Sequence, residues 1–327
     1  MRPPSPPAWP LLGHIPAFRR DVLGLLVRAV RDCGDTVRFQ LGPRPVIVVN
    51  HPEAIAHVLK ARAKNYDKDT RSTAFLRDIC GESLLTANGE AWEQRRHLFQ
   101  PAFHRGAVEG FAAIMREEAA ALVGRWRGCR EVAAGREMMA VTFRIVARTL
   151  FGADLPAETI ARLEAPIGVV LAESFARLGS ILGRKSRRFA QAMRQLDAAV
   201  DAVIADARPA GGSPNLLAMM KAAGFGEAAL RREAITFLLA GHETSANALA
   251  WLLAFLARHP AEQSRCARDP GALARALQES LRLAPPIWII ERRAIGEDEI
   301  GGFSIPAGCS VAICLYTAHR HRDFWEE

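Results

Sequence analysis

The sequence predicts a mainly helical fold with a smaller β portion, the α+β class, and three observations support this. Long Ala-, Leu-, Arg- and Glu-rich stretches with apolar residues at helical spacing run from residue 52 to about 283. A β-branched segment at 36–50 precedes them, and short strand-like segments return from Pro285 onward. Because the two β portions are distant in the chain, we expect them to pair and residues 1–327 to form a single domain.

The first element with a clear pattern is the segment 36–50, which is typical of a β-hairpin. Gly42 and Pro43 split it, and these two residue types favour a turn. The longest helix runs from Glu227 to His259 and is apolar on most faces, which predicts that it passes through the core. Its apolar residues include Ile235, Phe237, Leu238, Leu239, Leu249, Trp251, Leu252 and Phe255.

The middle of this helix is polar, with the sequence Ala-Gly-His-Glu-Thr-Ser at 240–245. A glycine costs a helix about 1 kcal/mol relative to alanine, and a buried carboxylate or hydroxyl needs a partner. Thr244 can donate a hydrogen bond to the carbonyl four residues earlier and bend the helix. The segment therefore predicts a kink beside a ligand, and the alternative is a helix with one hydrated face.

Two motifs that would indicate other functions are incomplete. His242 and Glu243 resemble the start of a zinc protease helix, but that motif needs a second histidine at position 246, which is Ala. The segment at 224–229 mimics a dinucleotide-binding loop, but such a loop follows a strand, and the residues before it have a helical pattern. We therefore exclude both functions.

The six cysteines contain no CxxC spacing, which excludes a zinc ribbon or a thioredoxin-like motif. Cys309 and Cys314 are five residues apart in a strand-like segment, so they should point to opposite faces and cannot bind one metal ion. We expect all six to be reduced thiols, most of them buried, and we assign no metal ligand within the 327 residues.

Composition and charge limit the environment and the partners. Half of the residues are apolar and 24% are charged, as is usual for a globular protein, and the net charge of +8 favours acidic partners. The Pro-rich N-terminus has no signal-peptide pattern and no apolar run is long enough to cross a membrane. We therefore expect a cytoplasmic protein without a transmembrane anchor. The GRKSRR run at 183–188 lacks interleaved aromatic residues, so we expect an exposed turn and no nucleic-acid binding.

Two pairs of side chains lie at helical spacing. Glu279 and Arg282 share one helix face, and the alternative to a functional pair is an exposed ion pair of little energetic value. Trp92 and Arg96 place an indole donor beside a guanidinium, which suits a carboxylate or a phosphate. The alternative is that the ring packs under the arginine stem.

Together these residues resemble the cytochrome P-450 family of haem-thiolate monooxygenases, in its bacterial, soluble form. The segments that match the family pattern, in the family's order, are PAWPLLGHIP at 7–16, Trp92-xxx-Arg96, AGHETSA at 240–246, Glu279-xx-Arg282, the strand segment at 291–308 and HRHRDFWEE at 319–327. The family's ligand loop, FxxGxRxCxG, has no counterpart here. We therefore expect a P-450-like fold that is incomplete at its C-terminus, with the haem-ligand cysteine beyond Glu327.

The resemblance implies haem b as the cofactor and gives roles to four residues of the central helix. Thr244 and Glu243 would be catalytic: Thr244 would hydrogen-bond dioxygen or an ordered water, and Glu243 would relay protons toward it. Ala240 and Gly241 would lie against the haem, where their small size leaves room for O₂ and substrate.

The resemblance also implies that Trp92, Arg96 and Arg292 donate hydrogen bonds to the haem propionates. Arg292 is preferred over its neighbour Arg293 because of its distance from Gly301-Gly302. A guanidinium and an indole N–H are suitable donors for such carboxylates.

The implied reaction inserts one oxygen atom of O₂ into a hydrophobic small molecule, with electrons from a separate ferredoxin or flavoprotein. Arg95, His97, His104 and Arg105 would form a basic face that docks this partner, and the alternative is that these charges are simply solvated. The alternative function is a truncated, non-catalytic product that cannot bind haem through a thiolate. A third hypothesis is a helical small-molecule binder without redox chemistry.

Overall fold

The computed structural model describes residues 1–42, 45–178, 185–207 and 215–325. The chain divides into two compact units. The first comprises Met1–Phe75, Phe175–Gly183 and Gly271–Glu327, and the second comprises Leu76–Ser174 and Arg184–Pro270. Helices predominate over strands, which confirms the mainly α fold with a smaller β portion. The single-domain organisation of residues 1–327 stays a prediction.

The elements of the described chain are numbered here in sequence order. The helices are α1 Ile15–Arg20, α2 Val22–Cys33, α3 Pro52–Ala56, α4 Arg71–Cys80, α5 Gly89–Phe99, α6 Arg105–Gly110, α7 Ala112–Trp126, α8 Ala134–Val146, α9 Ala157–Leu178, α10 Arg187–Asp206, α11 Leu216–Ala222, α12 Glu227–Arg258, α13 Pro260–Cys266, α14 Pro270–Leu283 and α15 Leu315–Ala318. The strands are β1 Thr36–Gln40, β2 Pro45–Val49, β3 Tyr66–Asp67, β4 Ile289–Ala294, β5 Asp298–Ile300, β6 Phe303–Ile305 and β7 Ser310–Cys314.

The five-stranded sheet of the first unit joins distant parts of the chain in the order β1-β2-β7-β4-β3. β1 and β2 pair antiparallel, which confirms the predicted hairpin, although Pro43 lies outside the described residues. β2 then pairs in parallel with β7, with Val48 opposite Ala312. The early and late β portions of the chain therefore pair, as predicted.

Each face of this sheet supports its own apolar cluster, because successive side chains of a strand point to opposite faces. Cys309 lies in the cluster that contains Ile47, and Cys314 lies in the cluster that contains Val48. All six cysteines are free thiols, and four of them are buried. This confirms both the opposite orientation of Cys309 and Cys314 and the expectation of reduced, mostly buried thiols.

The long helix α12 of the second unit runs without a break from Glu227 to Arg258. It ends one residue before the predicted His259, where Pro260 begins α13 with its fixed φ angle. Most residues of its first half are buried, and this half packs on α8 and α10. The helix therefore crosses the core of this unit, as its apolar pattern predicted.

The second half of α12 differs from the prediction. Trp251 is 49% exposed and stacks on Phe255, with 5.5 Å between the ring centres. Leu249 and Phe255 are only half-buried. The apolar pattern alone does not distinguish a helix that is buried all round from one whose last turns leave the core, so the prediction of full burial was wrong here.

Two further sequence predictions can be compared with the structure, and one of them is confirmed. The segment before Gly224 is α11, and the side chain of Asn215 caps its first turn, so the helical pattern that excluded a dinucleotide loop is confirmed. In the run 183–188, Gly183 and Arg184 lie outside the described residues. The four residues from Lys185 are exposed, but Ser186 caps α10, so the last two arginines belong to a helix and not to a turn. None of the helices among the described residues is long and apolar enough to cross a membrane.

Candidate active site

The polar segment of α12 places an acid beside an alcohol on one side of the helix. Thr244 Oγ1 donates a hydrogen bond to the Ala240 carbonyl at 2.7 Å, which is the predicted bond to the preceding turn. The predicted kink is not accompanied by any interruption of the helix. Glu243 is half-buried and has no hydrogen-bond or ion-pair partner within the part of the chain that the structure describes. Burial raises the pKa of its carboxyl group.

The opposite side of the same segment packs on α8. His242 is buried, donates from Nδ1 to the Leu238 carbonyl at 2.8 Å, and meets the Phe143 ring edge-on at 4.7 Å. Thr142 Oγ1 in turn donates to the His242 carbonyl at 3.0 Å. Burial lowers the pKa of His242, which favours the neutral form of this packed ring. Since successive helical residues are about 100° apart, the acid and the alcohol point away from this contact.

Gly241 also faces α8, which gives the glycine a packing role that the sequence did not show. A Cβ at this position would lie 2.8 Å from Cγ2 of Val146. Only a glycine allows the two helices to approach this closely. The space at Gly241 is therefore filled by Val146, and only its backbone is left for the cofactor contact that we expected. Ala240 is exposed, and its small side chain lies on the side of Thr244.

Trp92 and Arg96 lie side by side on α5, as their spacing predicted. The Arg96 guanidinium carbon lies 5.4 Å from the centre of the Trp92 ring. The two interpretations of this pair are compatible, because a guanidinium that forms a cation–π contact with a ring keeps its N–H groups available as donors. Arg96 is exposed and forms no ion pair with any carboxylate of the described residues.

Arg95, the preceding residue, contradicts part of the predicted docking face. Its side chain is only 18% exposed, and its Nε donates to the carboxylate of Glu233 on α12 at 2.8 Å. Arg95 is therefore a structural ion-pair partner and does not present its charge to solvent. His97, His104 and Arg105 remain exposed, and Arg105 pairs with Glu109 on the next turn at 2.8 Å.

In the first unit, the neighbouring arginines of β4 differ in their partners. Arg293 is bound by two carboxylates, that of Asp67 at 2.6 Å and that of Asp69 at 2.7 Å. Arg292 is half-buried, donates only to the carbonyl of Glu291 at 2.8 Å, and meets no carboxylate of the described residues. Burial lowers the pKa of Arg292. Of these two arginines, only Arg292 lacks an anionic partner among the described residues. This favours Arg292 over Arg293 as the candidate donor to a haem propionate, the same choice that the distance from Gly301-Gly302 suggested.

Glu279 and Arg282 form a bidentate ion pair on α14, with N–O distances of 2.6 and 2.7 Å. The alternative of a merely exposed pair is wrong for Arg282, whose side chain is 16% exposed. Its third donor reaches the carbonyl of His319 at 2.8 Å, and its guanidinium lies 4.7 Å from the centre of the Trp325 ring. The hydrogen bond from Arg282 lowers the pKa of Glu279. The sequence analysis did not predict the contacts of Arg282 with His319 and Trp325, because residues about 40 positions apart in the chain give no sequence signal of such contacts.

Each unit, considered by itself, contains a guanidinium group that meets no carboxylate of the described residues. The second unit offers Arg96 supported by Trp92, and the first offers the half-buried cation Arg292. Guanidinium groups without carboxylate partners suit the two carboxylates that a haem carries. The thiols fit less well. Burial raises the pKa of Cys309 and Cys314, and it raises that of Cys80 to about 11, whereas a thiolate ligand needs a lowered pKa.

Comparison with known proteins gives a consistent result. The family model described as cytochrome P-450 matches residues 3–269 and 272–327. Cyclooctatin synthase of Streptomyces melanosporofaciens is 30% identical over 97% of this chain and 76% of its own length. Cyclooctat-9-en-7-ol 5-monooxygenase of the same organism is 28% identical over 99% of this chain and 77% of its length.

A solved structure agrees with the sequence relatives. The crystal structure of CYP175A1 from Thermus thermophilus superimposes with a TM-score of 0.82 at 28% identity, covering 98% of this chain and 79% of that one. The chain therefore spans about three quarters of the length of these relatives.

Proposed function

Because the chain belongs to the cytochrome P-450 family, we propose that it inserts one oxygen atom of O₂ into a hydrophobic organic substrate. The observation that carries the proposal is the acid–alcohol pair of α12, in which Thr244 is oriented by the Ala240 carbonyl and Glu243 meets no partner among the described residues. Bound haem with a thiolate ligand supplies the oxygen-activating chemistry. None of the six cysteines is proposed as its iron ligand.

Residues of the chain would hold the cofactor by hydrogen bonds to its carboxylates. Trp92 and Arg96 would donate hydrogen bonds to one haem carboxylate. Arg292, which belongs to the first unit, would also donate to a haem carboxylate. Neither arginine meets a carboxylate of the described residues, which supports this assignment. Ala240 and the backbone of Gly241 would line the cofactor side of α12.

Glu243 and Thr244 would move protons. Burial raises the pKa of the Glu243 carboxyl group, so it holds a proton more readily than an exposed carboxyl group and can pass it to a neighbouring water. The Thr244 hydroxyl donates its own proton to the Ala240 carbonyl, so its oxygen lone pairs face outward and can accept a hydrogen bond from such a water. The pair would thus deliver protons to the oxygen atom that is reduced to water.

The test compares Thr244→Ala with Ser245→Ala in the haem-loaded protein. Ser245 is the adjacent exposed hydroxyl on α12 and serves as the matched control. With NADPH, a surrogate ferredoxin pair and cyclooctat-9-en-7-ol as a first substrate, we expect Thr244→Ala to form about tenfold less product for each electron consumed and more peroxide. Ser245→Ala should behave like the parent protein.

Equal product and peroxide yields in both variants would refute the role of Thr244. A haem-loaded protein that forms neither product nor peroxide from a reduced partner would instead favour the non-catalytic alternative. Incorporation of one atom from ¹⁸O₂ into the product tests the reaction class directly.

The electron donor would be a separate ferredoxin or flavoprotein, and the protein would act in the cytoplasm. The net charge of +8 and the exposed His97, His104 and Arg105 support docking of an acidic partner. Arg95 is omitted from this face because its side chain is largely buried in its ion pair with Glu233. A reduction rate that falls steeply with added salt would support electrostatic docking, and a rate independent of salt would contradict it.

A further inference from the structure

Glu233 on α12 is a buried carboxylate to which the proposed reaction gives no role. Its side chain is 1% exposed. Both carboxylate oxygens accept from the backbone N–H of Leu84, at 3.2 and 3.1 Å, and one accepts from Arg95 at 2.8 Å. Burial raises the pKa of Glu233 in spite of these donors. Because a buried charge is costly to keep, a carboxylate held in this way calls for an explanation.

The partner of Glu233 is fixed at all of its nitrogen atoms. Arg95 donates from Nε to Glu233, from Nη1 to the carbonyl of Ala91 at 3.0 Å, and from Nη2 to the carbonyl of Glu82 at 3.3 Å. A guanidinium is planar, so three bonds in three directions define its orientation. Arg95 thereby ties α5 to α12 and to the segment that precedes α5.

An apolar contact repeats this arrangement one helical turn further along. Phe99, four residues after Arg95, meets the Phe237 ring edge-on at 4.9 Å, and Phe237 is four residues after Glu233. Residues four apart share a helix face, so one face of α5 lies on one face of α12. Apolar contacts are not directional and tolerate rotation, whereas the ion pair with its hydrogen bonds permits one orientation of α5.

The rotation of α5 decides where Trp92 and Arg96 point. Trp92 directly follows Ala91, and Arg96 directly follows Arg95. Ala91 and Arg95 are joined by the hydrogen bond from Arg95 Nη1 to the Ala91 carbonyl. Adjacent residues of a helix are about 100° apart, so fixing the face of residues 91 and 95 fixes the face of residues 92 and 96. A rotation of α5 by a fraction of this angle would turn the Arg96 guanidinium away from its target.

We propose that Glu233 is a positioning residue for haem binding: its ion pair with Arg95 sets the rotation of α5 and thereby places Trp92 and Arg96 against a haem carboxylate. This inference rests on the proposed haem site. It adds a requirement that the site residues alone do not show, since Glu233 itself would not touch the cofactor.

The test uses the haem-loaded protein with Glu233→Gln, Arg95→Gln and the double variant. Asp197→Asn is the matched control, because Asp197 pairs at 2.8 and 2.9 Å with Arg232, the neighbour of Glu233 on α12, but links that helix to α10 instead of α5. The readouts are the rate of haem transfer to excess apomyoglobin, the circular dichroism of the haem band, and backbone hydrogen exchange of residues 89–99.

We expect each single variant to transfer haem about tenfold faster, as for other supporting partners of a cofactor site. The haem-band dichroism should change and exchange in α5 should rise, while Asp197→Asn leaves all three readouts as in the parent. The double variant should be no worse than the single ones, because both act through one ion pair. Arg96→Gln, measured alongside, should also transfer haem faster.

Haem transfer and dichroism that remain as in the parent in Glu233→Gln and Arg95→Gln would overturn the inference, as would an equal effect of Asp197→Asn. If Arg96→Gln retains haem normally, the proposed propionate donors are wrong, and the positioning role fails with them. If Arg96→Gln loses haem but the Glu233 variants do not, the proposed site stands and only the positioning role is refuted.

Discussion

Replacement of Gly241 by alanine tests the close approach of α12 and α8. The added methyl group would lie 2.8 Å from Cγ2 and 3.4 Å from Cγ1 of Val146. Val146 is buried and β-branched, so it has essentially one side-chain rotamer in a helix and cannot turn aside. The new methyl group must therefore displace Val146 or separate the two helices.

The magnitude follows from two opposing contributions. Overpacking a core costs about 1–3 kcal/mol, and alanine in place of glycine within a helix gains about 1 kcal/mol. The net loss of unfolding free energy should be about 0–2 kcal/mol. Gly168→Ala in α9 is the control, because a Cβ there meets no atom within 4 Å and the position is exposed. It should gain up to about 1 kcal/mol, so the two variants should differ by about 1–3 kcal/mol.

The assay is urea unfolding of the parent, both alanine variants, Val146→Ala and the pair Gly241→Ala/Val146→Ala. Shortening Val146 removes both atoms that the new methyl would meet, so in this background Gly241→Ala should stabilise the protein as Gly168→Ala does. The reasoning is refuted if Gly241→Ala stabilises the parent protein, or if its cost persists after Val146 has been shortened.

Two further predictions concern pH. Burial raises the pKa of Glu243 above its ordinary 4.5, so ionisation of this carboxyl group lowers the stability of the folded protein above that pH. Glu243→Gln should therefore raise the unfolding midpoint relative to the parent at pH 7 but not at pH 4. Equal midpoints of the variant and the parent at pH 7 would contradict this. Burial opposes the charge of Asp298, but hydrogen bonds from Tyr66, the Glu299 backbone and His57 outweigh it and hold its pKa below 3.8. Asp298→Asn should therefore be less stable at pH 7, with a deficit that shrinks as the pH falls below 3.8; a deficit independent of pH would contradict this.

Much of the fold follows from local patterns. The start of α12 at Glu227 and its end near Pro260 were predictable because glycine and proline act on a helix end within a few residues. The hairpin followed from a β-branched segment split by Gly42 and Pro43, and the opposite faces of Cys309 and Cys314 followed from the two-residue period of a strand. These features need no knowledge of which distant segments meet.

The errors share a different cause. Arg95 was assigned to a docking face although it is paired with Glu233, 138 residues away, and a chain pattern contains no sign of that partner. The packing of Gly241 on Val146 was missed, because the sequence gives no sign that α8 approaches this glycine. Trp251 was expected in the core, although it is half exposed. In each case contacts with distant segments determine the environment of the side chain. The spacing of apolar residues shows only on which face of a helix or strand a residue lies.

The choice between Arg292 and Arg293 shows how structure sharpens a sequence assignment. Both residues are arginines of one strand, and spacing alone separates them weakly. Asp67 and Asp69 neutralise Arg293, while Arg292 is half-buried beside no carboxylate of the described residues. A cation that is withdrawn from water without an anion is costly, and a bound carboxylate would remove that cost.

The central claim, that cations without carboxylate partners hold the haem, is tested most directly by haem retention. Arg292→Gln and Arg96→Gln should each transfer haem to apomyoglobin about tenfold faster than the parent. Arg293→Gln should retain haem at the parent rate while its unfolding midpoint falls, because it loses two ion pairs. Normal retention in Arg292→Gln and Arg96→Gln, or rapid loss in Arg293→Gln at the parent midpoint, would contradict the account.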